Sequence, residues 1–275
     1  MNQYTSSGNL SITALSRAVT VHRDEKGMPF VYAENRRDAL VAFGFVTAQD
    51  RLFQMELLRR FASGRLSEMA GEKALPVDKR MRTIGFYRQA KAHAALLDAD
   101  TRQHFEYYLA GINSFIETRE KDWPLEFKLA GIRPDPWTLA DSLSVFYYMS
   151  WNSSANLETE IIMQMLVEKL GPARAMSLAP VTINPDDPPR AGVNDGPAGM
   201  AAAPGLAPEA LTGLLGDAAL RLGSNNWVVG PAMTAAGMPI VANDPHLDIR
   251  MLPGPWYAAG IILPDQRIVG AGIAG

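Results

Sequence analysis

Gly223-Ser224-Asn225-Asn226-Trp227-Val228-Val229 is a glycine that closes a loose stretch, then a serine that opens an apolar, strand-like run. Two readings are open. Ser224 is a strand-start residue behind a turn glycine, or it becomes a new N-terminus after a cut at Gly223. Upstream, Asn184-Pro185-Asp186-Asp187-Pro188-Pro189, Gly196-Pro197-Ala198-Gly199 and Ala201-Ala202-Ala203-Pro204 form a Pro/Gly/Ala-rich linker, followed by a short helical pattern at Pro208–Leu222. A connection this long between packed segments calls for a functional or processing explanation, and such segments are exposed and cleavable. A serine at a chain terminus can use its own α-amine, which titrates near neutral pH, as the base for its hydroxyl. Before cleavage that nitrogen is an amide and cannot serve.

Downstream, Ala235-Ala236-Gly237 turns the chain into Pro239-Ile240-Val241-Ala242-Asn243, and Asn243-Asp244-Pro245-His246-Leu247 follows. If Ser224–Val229 pairs with Ile240–Asn243, this cluster lands beside Ser224. His246 then orients the amine through a water or polarises the site; the alternative is a half-buried structural histidine. Trp256–Ile262 and Arg267–Ile273 read as a second strand pair, turned by Pro264-Asp265.

The chain before the linker is mainly helical. A hairpin (Val19–Val21 with Phe30–Tyr32) precedes a long helical pattern from about Arg37 to Ala70, broken at Gly64 and ended by Gly71. Further helices are expected from Thr101 as N-cap, over Leu139–Ser150 with Thr138 and Asp141 as a capping pair, and over Leu157–Leu170. Gln49-Asp50-Arg51 with Glu56, Arg59 and Arg60 reads as a solvated, salt-bridged helix face with a structural role.

Composition excludes several classes of function. The 275 residues are 47% hydrophobic and 20% charged, an ordinary globular balance, and 26 Lys+Arg against 29 Asp+Glu leave a net charge of −3. Nucleic-acid binding has no basic footprint here. The absence of cysteine removes disulfides, thiolate zinc sites and cysteine nucleophiles. No run is long enough to span a membrane, and Met1–Gly8 has neither a basic nor an apolar signal region. Ile268–Gly275 stops inside an apolar strand-like stretch, as a fragment would. A triad-type serine hydrolase is disfavoured by the lack of a Gly-x-Ser-x-Gly elbow and of an evident Asp–His pairing.

Three segments together resemble the penicillin/cephalosporin acylase family of N-terminal-nucleophile hydrolases, which includes the N-acyl-homoserine lactone acylases. They are Ala42–Glu56 with Arg59-Arg60 and Gly64-Arg65-Leu66-Ser67-Glu68; Gly223–Val229; and Asn243–Leu247. The resemblance runs from about Val19 to the end of the chain. It implies an α+β fold, the αββα sandwich of that class, incomplete here and preceded by a mainly helical α chain. It divides the chain into an α-chain region at 1–190, a removed spacer at 191–223 and the start of a β chain at 224–275. Ser224 would be the nucleophile, Gly223–Ser224 the self-cleavage site, and His246 the residue near the amine. Leu247, Phe146, Met149 and Trp151 would line an apolar acyl pocket. Glu160 would be the α-chain ligand of a structural calcium, with no cofactor required for the chemistry. The expected partners are a small-molecule amide and the protein's own β chain, with no nucleic acid and no membrane span, in the periplasm.

The family's oxyanion asparagine and most calcium ligands would fall beyond Gly275, so the 275 residues by themselves are expected to be inactive. Penicillin-like amides and long-chain N-acyl-homoserine lactones are the substrate alternatives. A truncated member acting as a binding module is the alternative of another class.

Overall fold

The computed structural model describes residues 7–154, 156–178, 224–247 and 253–275. Within these, one compact unit holds 7–149 with 224–247 and 253–275, and a second holds 150–154 and 156–178. The expected spacer, Gly223 and the helical pattern at Pro208–Leu222 lie outside the described residues. The described chain is mixed helix and sheet, predominantly helical.

In the first unit, β1 (Thr20–Arg23) and β2 (Pro29–Tyr32) form the hairpin, and α1 (Arg36–Ser63) follows. The start of α1 is fixed locally. Asn35 caps it by accepting the Asp38 amide at 2.8 Å, while the Asp38 carboxylate receives the Asn35 amide group, both Ser16 donors and the Arg17 N–H. Burial works against ionisation of Asp38, but these hydrogen bonds prevail and hold its pKa below the ordinary carboxylate value. At the far end Gly64 takes the left-handed conformation (φ 66°) that terminates the helix, as its position in the sequence predicts.

Short helices α2 (Ser67–Ala70), α3 (Leu75–Ile84) and α4 (Phe86–Ala94) lead to α5 (Ala99–Thr118), and α6 (Leu125–Ala130) leads to α7 (Leu139–Ser154). Asp98, not Thr101, caps α5. The cap and the helix start lie three residues earlier than expected, which makes Thr101 the residue whose amide the cap satisfies, at 2.8 Å. The Thr138–Asp141 pair forms as expected: the Asp141 carboxylate accepts the Thr138 N–H at 2.8 Å, and Thr138 Oγ1 accepts the Asp141 N–H at 3.3 Å.

The core lies between α1 and α5. Phe45, Ala48, Leu52 and Met55 meet Leu109, Ile112, Phe115 and Ile116, and Phe127, Trp137, Val145 and Tyr257 close the cluster. Two glycines permit this closeness. A Cβ on Gly44 would stand 2.0 Å from the Tyr108 carbonyl oxygen, and one on Gly111 would stand 1.9 Å from that of Val41. Neither obstacle is a flexible side chain, so one methyl must displace a helix axis. Gly111→Ala is therefore expected to destabilise the chain by about 3 kcal/mol, the upper part of the overpacking range. Urea unfolding checks this, and a wild-type midpoint would show that the helices separate without cost.

Two sheets complete the unit. β5 (Trp256–Ile262) and β6 (Arg267–Ile273) pair antiparallel as expected, but β5 also pairs in parallel with β2, Phe30 opposite Gly260, to give the order β1-β2-β5-β6. The N-terminal hairpin is thus part of the later β block, not separate from it. β3 (Ser224–Val229) and β4 (Ile240–Pro245) form their own antiparallel pair. The second unit contains the end of α7, then α8 (Asn156–Leu170) and α9 (Pro172–Leu178), with Gly171 (φ 78°) between them.

Candidate active site

The β3–β4 register runs from Val229 opposite Ile240 to Ser224 opposite Pro245. The Asn243–Leu247 cluster therefore arrives beside Ser224, as the turn between the strands predicts. Contact is direct: the His246 backbone N–H donates to Ser224 Oγ at 3.3 Å. Ser224 is exposed, and Leu247 is half-buried next to His246.

The His246 ring does not face the serine hydroxyl through a triad. Its Nε2 bonds Asp244 Oδ2 at 2.7 Å, with the two side chains 40% and 61% exposed. The sequence offered no evident Asp–His pairing; the structure supplies one. Asp244 is the penultimate residue of β4 and His246 the first after it, so the two side chains are near neighbours. Because the group nearest Oγ is the backbone amide of His246, the arrangement is not a Ser–His–Asp relay. What it offers is an exposed hydroxyl whose oxygen is held by a backbone donor, at the first residue after the expected cut.

The cluster on α1 departs from expectation. Glu56 and Arg59 are 1% and 2% exposed, so this is no solvated face. Glu56 pairs with both Arg59 and Arg60, the latter at 2.5 Å, and Arg60 continues to Glu68 at 2.5 Å. Arg59 donates to the carbonyls of Asp135 and Pro136 at 2.9 and 3.1 Å and lies over the Trp137 ring at 4.9 Å. The Pro134-Asp135-Pro136 segment is poor in donors and presents carbonyls, and the guanidinium satisfies two of them while it is sealed from water. The role is structural, as expected, but it is a buried one.

Nearby α1 residues reach the segment after the candidate site. Arg51 donates to the Gly254 carbonyl at 3.0 Å, and Gln54 to those of Pro253 and Gly254 at 3.1 and 3.2 Å. Asp50 accepts from Arg23 at 2.8 Å and from the Tyr257 hydroxyl at 2.7 Å. Burial, joined by the Asp50 charge, pushes the Tyr257 pKa well above the ordinary tyrosine value, so its hydroxyl stays a donor. These links were not foreseen; the signal was the run of polar side chains at 49, 50, 51 and 54 in the middle of α1.

The expected pocket residues are dispersed. Phe146 is 62% exposed on α7, its ring edge-on to Tyr147, and Met149 packs on the main core cluster. Trp151 is half-buried on the part of α7 that belongs to the second unit. Hydrogen bonds and ring contacts among the described residues join neither Phe146 nor Met149 to the β3–β4 pair. Glu160 stands in α8, in a stretch described by its backbone alone. No group of three or more His, Cys, Asp or Glu converges as a metal-ligand set among the described residues, and no described helix is long and apolar enough to cross a membrane.

Comparison with known proteins settles the family. The penicillin amidase family model matches residues 18–275. The chain belongs to the penicillin amidase family. This penicillin amidase family member is 34% identical over 277 residues to acyl-homoserine lactone acylase QuiP of Pseudomonas aeruginosa, an alignment that covers 98% of this chain and 32% of the relative. It is 36% identical over 274 residues to the penicillin acylase 2 proenzyme of Pseudomonas sp. strain SE83, covering 98% and 35%. Among solved structures, a thermostable penicillin G acylase from Alcaligenes faecalis superposes with a TM-score of 0.50 at 28% identity, covering 62% of this chain and 97% of that one. The chain spans about a third of the length of the curated relatives it matches.

Proposed function

We propose that the complete protein is a self-processing amidohydrolase, cleaving linear amides through an acyl-serine at Ser224. The observation that carries this is the β3–β4 register, which sets Ser224 opposite Pro245 with the His246 N–H on its hydroxyl oxygen. The family, and a relative named a proenzyme, support the maturation step.

In the precursor, Ser224 Oγ attacks the Gly223 carbonyl, the acyl group moves from nitrogen to oxygen and so frees the Ser224 amine, and water then hydrolyses the ester to release the Ser224 hydroxyl and a Gly223 carboxylate. In the mature protein that amine takes the hydroxyl proton as Oγ attacks the substrate carbonyl. The proton passes to the departing amine, and water then resolves the acyl-serine. The His246 N–H occupies an Oγ lone pair, which turns the hydroxyl proton away from it and leaves the α-amine as its acceptor. The completed fold is proposed to be the αββα sandwich, with 1–190, 191–223 and 224–275 as α chain, spacer and start of the β chain, and the two chains as a heterodimer. Leu247, Phe146, Met149 and Trp151 are proposed for the acyl pocket. Glu160 is proposed for a structural calcium, and the periplasm as the location.

A penicillin-like amide or another N-acyl amine is the substrate class. The second reading, a long-chain N-acyl-homoserine lactone acylase, is favoured by QuiP relatives whose matches cover 98% of this chain. Intact mass and N-terminal sequencing of protein made from the complete reading frame test the mechanism. A second chain beginning at Ser224 is expected. A folded, uncut product would return Ser224 to the role of a strand residue. Release of free amine from a penicillin against release from an N-acyl-homoserine lactone then separates the two substrates.

A further inference from the structure

Asp244 belongs neither to the acyl pocket nor to the nucleophile, yet its carboxylate holds the His246 ring at 2.7 Å through Nε2. We propose that Asp244 is the positioning residue of this site: it fixes the proton of neutral His246 on Nε2 and leaves the Nδ1 lone pair to receive an N–H of the Ser224 α-amine. The inference rests on the reading of Ser224 as an N-terminal nucleophile.

A neutral imidazole carries one donor and one acceptor, and a carboxylate can only accept. The bond to Asp244 therefore requires the proton on Nε2, and this choice makes Nδ1 an acceptor. The amine needs such a partner. It must keep its own lone pair free for the serine proton, so its N–H groups have to be engaged by acceptors. The opposite tautomer would point an N–H at the amine and compete with the proton transfer. Asp244, within β4, stands opposite Asn225, next to Ser224 in the ladder, and His246 follows directly after the strand's last residue, Pro245. The His246 backbone N–H donates to Ser224 Oγ at 3.3 Å; in the proposed arrangement the same residue would address the amine through its ring. With 61% of Asp244 and 40% of His246 exposed, the pair adds little to stability. A purely structural carboxylate here would leave the kinetics untouched.

The test uses the complete protein as wild type, Asp244→Ala, Asp244→Asn and Ser224→Ala. Nitrogen-15 NMR of the imidazoles at neutral pH reads the tautomer in the uncut Ser224→Ala protein, with and without Asp244→Ala. His246 is assigned by the resonance that His246→Gln removes. Expected is an Nε2–H ring that becomes a mixture of tautomers when Asp244 is lost. In matured enzyme, kcat of Asp244→Ala is expected to fall about 10- to 100-fold with KM within about twofold. Asp244→Asn, isosteric and still an acceptor, falls between. If Asp244→Ala fails to fold, the Asn variant carries the same comparison with a smaller fall. Unchanged kcat in the variants, or a fall without a change of tautomer, overturns the proposal. A wild-type protein never cut at Ser224 and without turnover overturns the underlying reading instead. A cut, active wild type indistinguishable from Asp244→Ala overturns this inference alone.

Discussion

Ser224→Ala in the complete protein is expected to leave one uncut chain and to lower amide turnover by at least about 10⁴-fold, the scale on which hydrolases lose activity with their nucleophile. Both losses follow from one atom. Oγ is the group placed under the His246 N–H, and the same oxygen serves the Gly223 carbonyl in the precursor and the substrate carbonyl afterwards. Removing it also keeps the Ser224 nitrogen an amide, so the base is lost with the nucleophile. The substitution deletes an exposed hydroxyl at the start of a strand, so the fold is expected to be unchanged and thermal unfolding should match an uncut wild-type precursor. Mass spectrometry and a released-amine assay read the outcome. A chain that is still cut at 223/224 would assign the nucleophile elsewhere.

Glu56→Ala is expected to cost about 3–5 kcal/mol of folding free energy, the range seen when one partner of a buried ion pair is removed. Glu56 compensates two guanidinium groups at once, from the interior of α1. Without it Arg59 keeps the carbonyls of Asp135 and Pro136 but loses its closest counter-charge, since Asp141 stands at 3.5 Å. Arg60 keeps Glu68, whose side chain is 45% exposed. Neither arginine can discharge by losing its proton. Glu56→Gln preserves the shape and one acceptor and should cost less. Urea midpoints of the two variants beside wild type decide the matter. Equal midpoints for Glu56→Ala and wild type would mean that water enters and solvates the arginines.

Local signals made the helices and the candidate site legible in sequence. The Gly64 stop and the Thr138–Asp141 pair are short-range devices, and the β3–β4 register follows from a turn between adjacent strands. What escaped is what comes from elsewhere in the chain. Periodicity sees charge at Glu56, Arg59 and Arg60; the segment at 135–137 that buries Arg59 is some 76 residues away. A parallel ladder has no turn to announce it, so β2 and β5 read as members of separate blocks. The Asp244–His246 bond is a local one, between residues two apart. It was obscured because Pro245 between them interrupts the apolar pattern. The expected acyl pocket is the least legible part: Phe146 is 62% exposed, whereas Met149, three residues on along the same helix, packs on the core cluster.

The β2–β5 ladder joins residues 230 positions apart, Phe30 with Gly260, across the proposed cut. Within one continuous chain, closing a loop of that length costs about 5 kcal/mol before the constant term. After scission the same ladder would have to form by encounter between two separate polypeptides, at a rate that falls with dilution. The uncut chain would then be the only form that folds independently of its concentration. The cut protein would be a product of history: it would persist because its halves share a sheet, and once unfolded it would not readily be rebuilt from its parts.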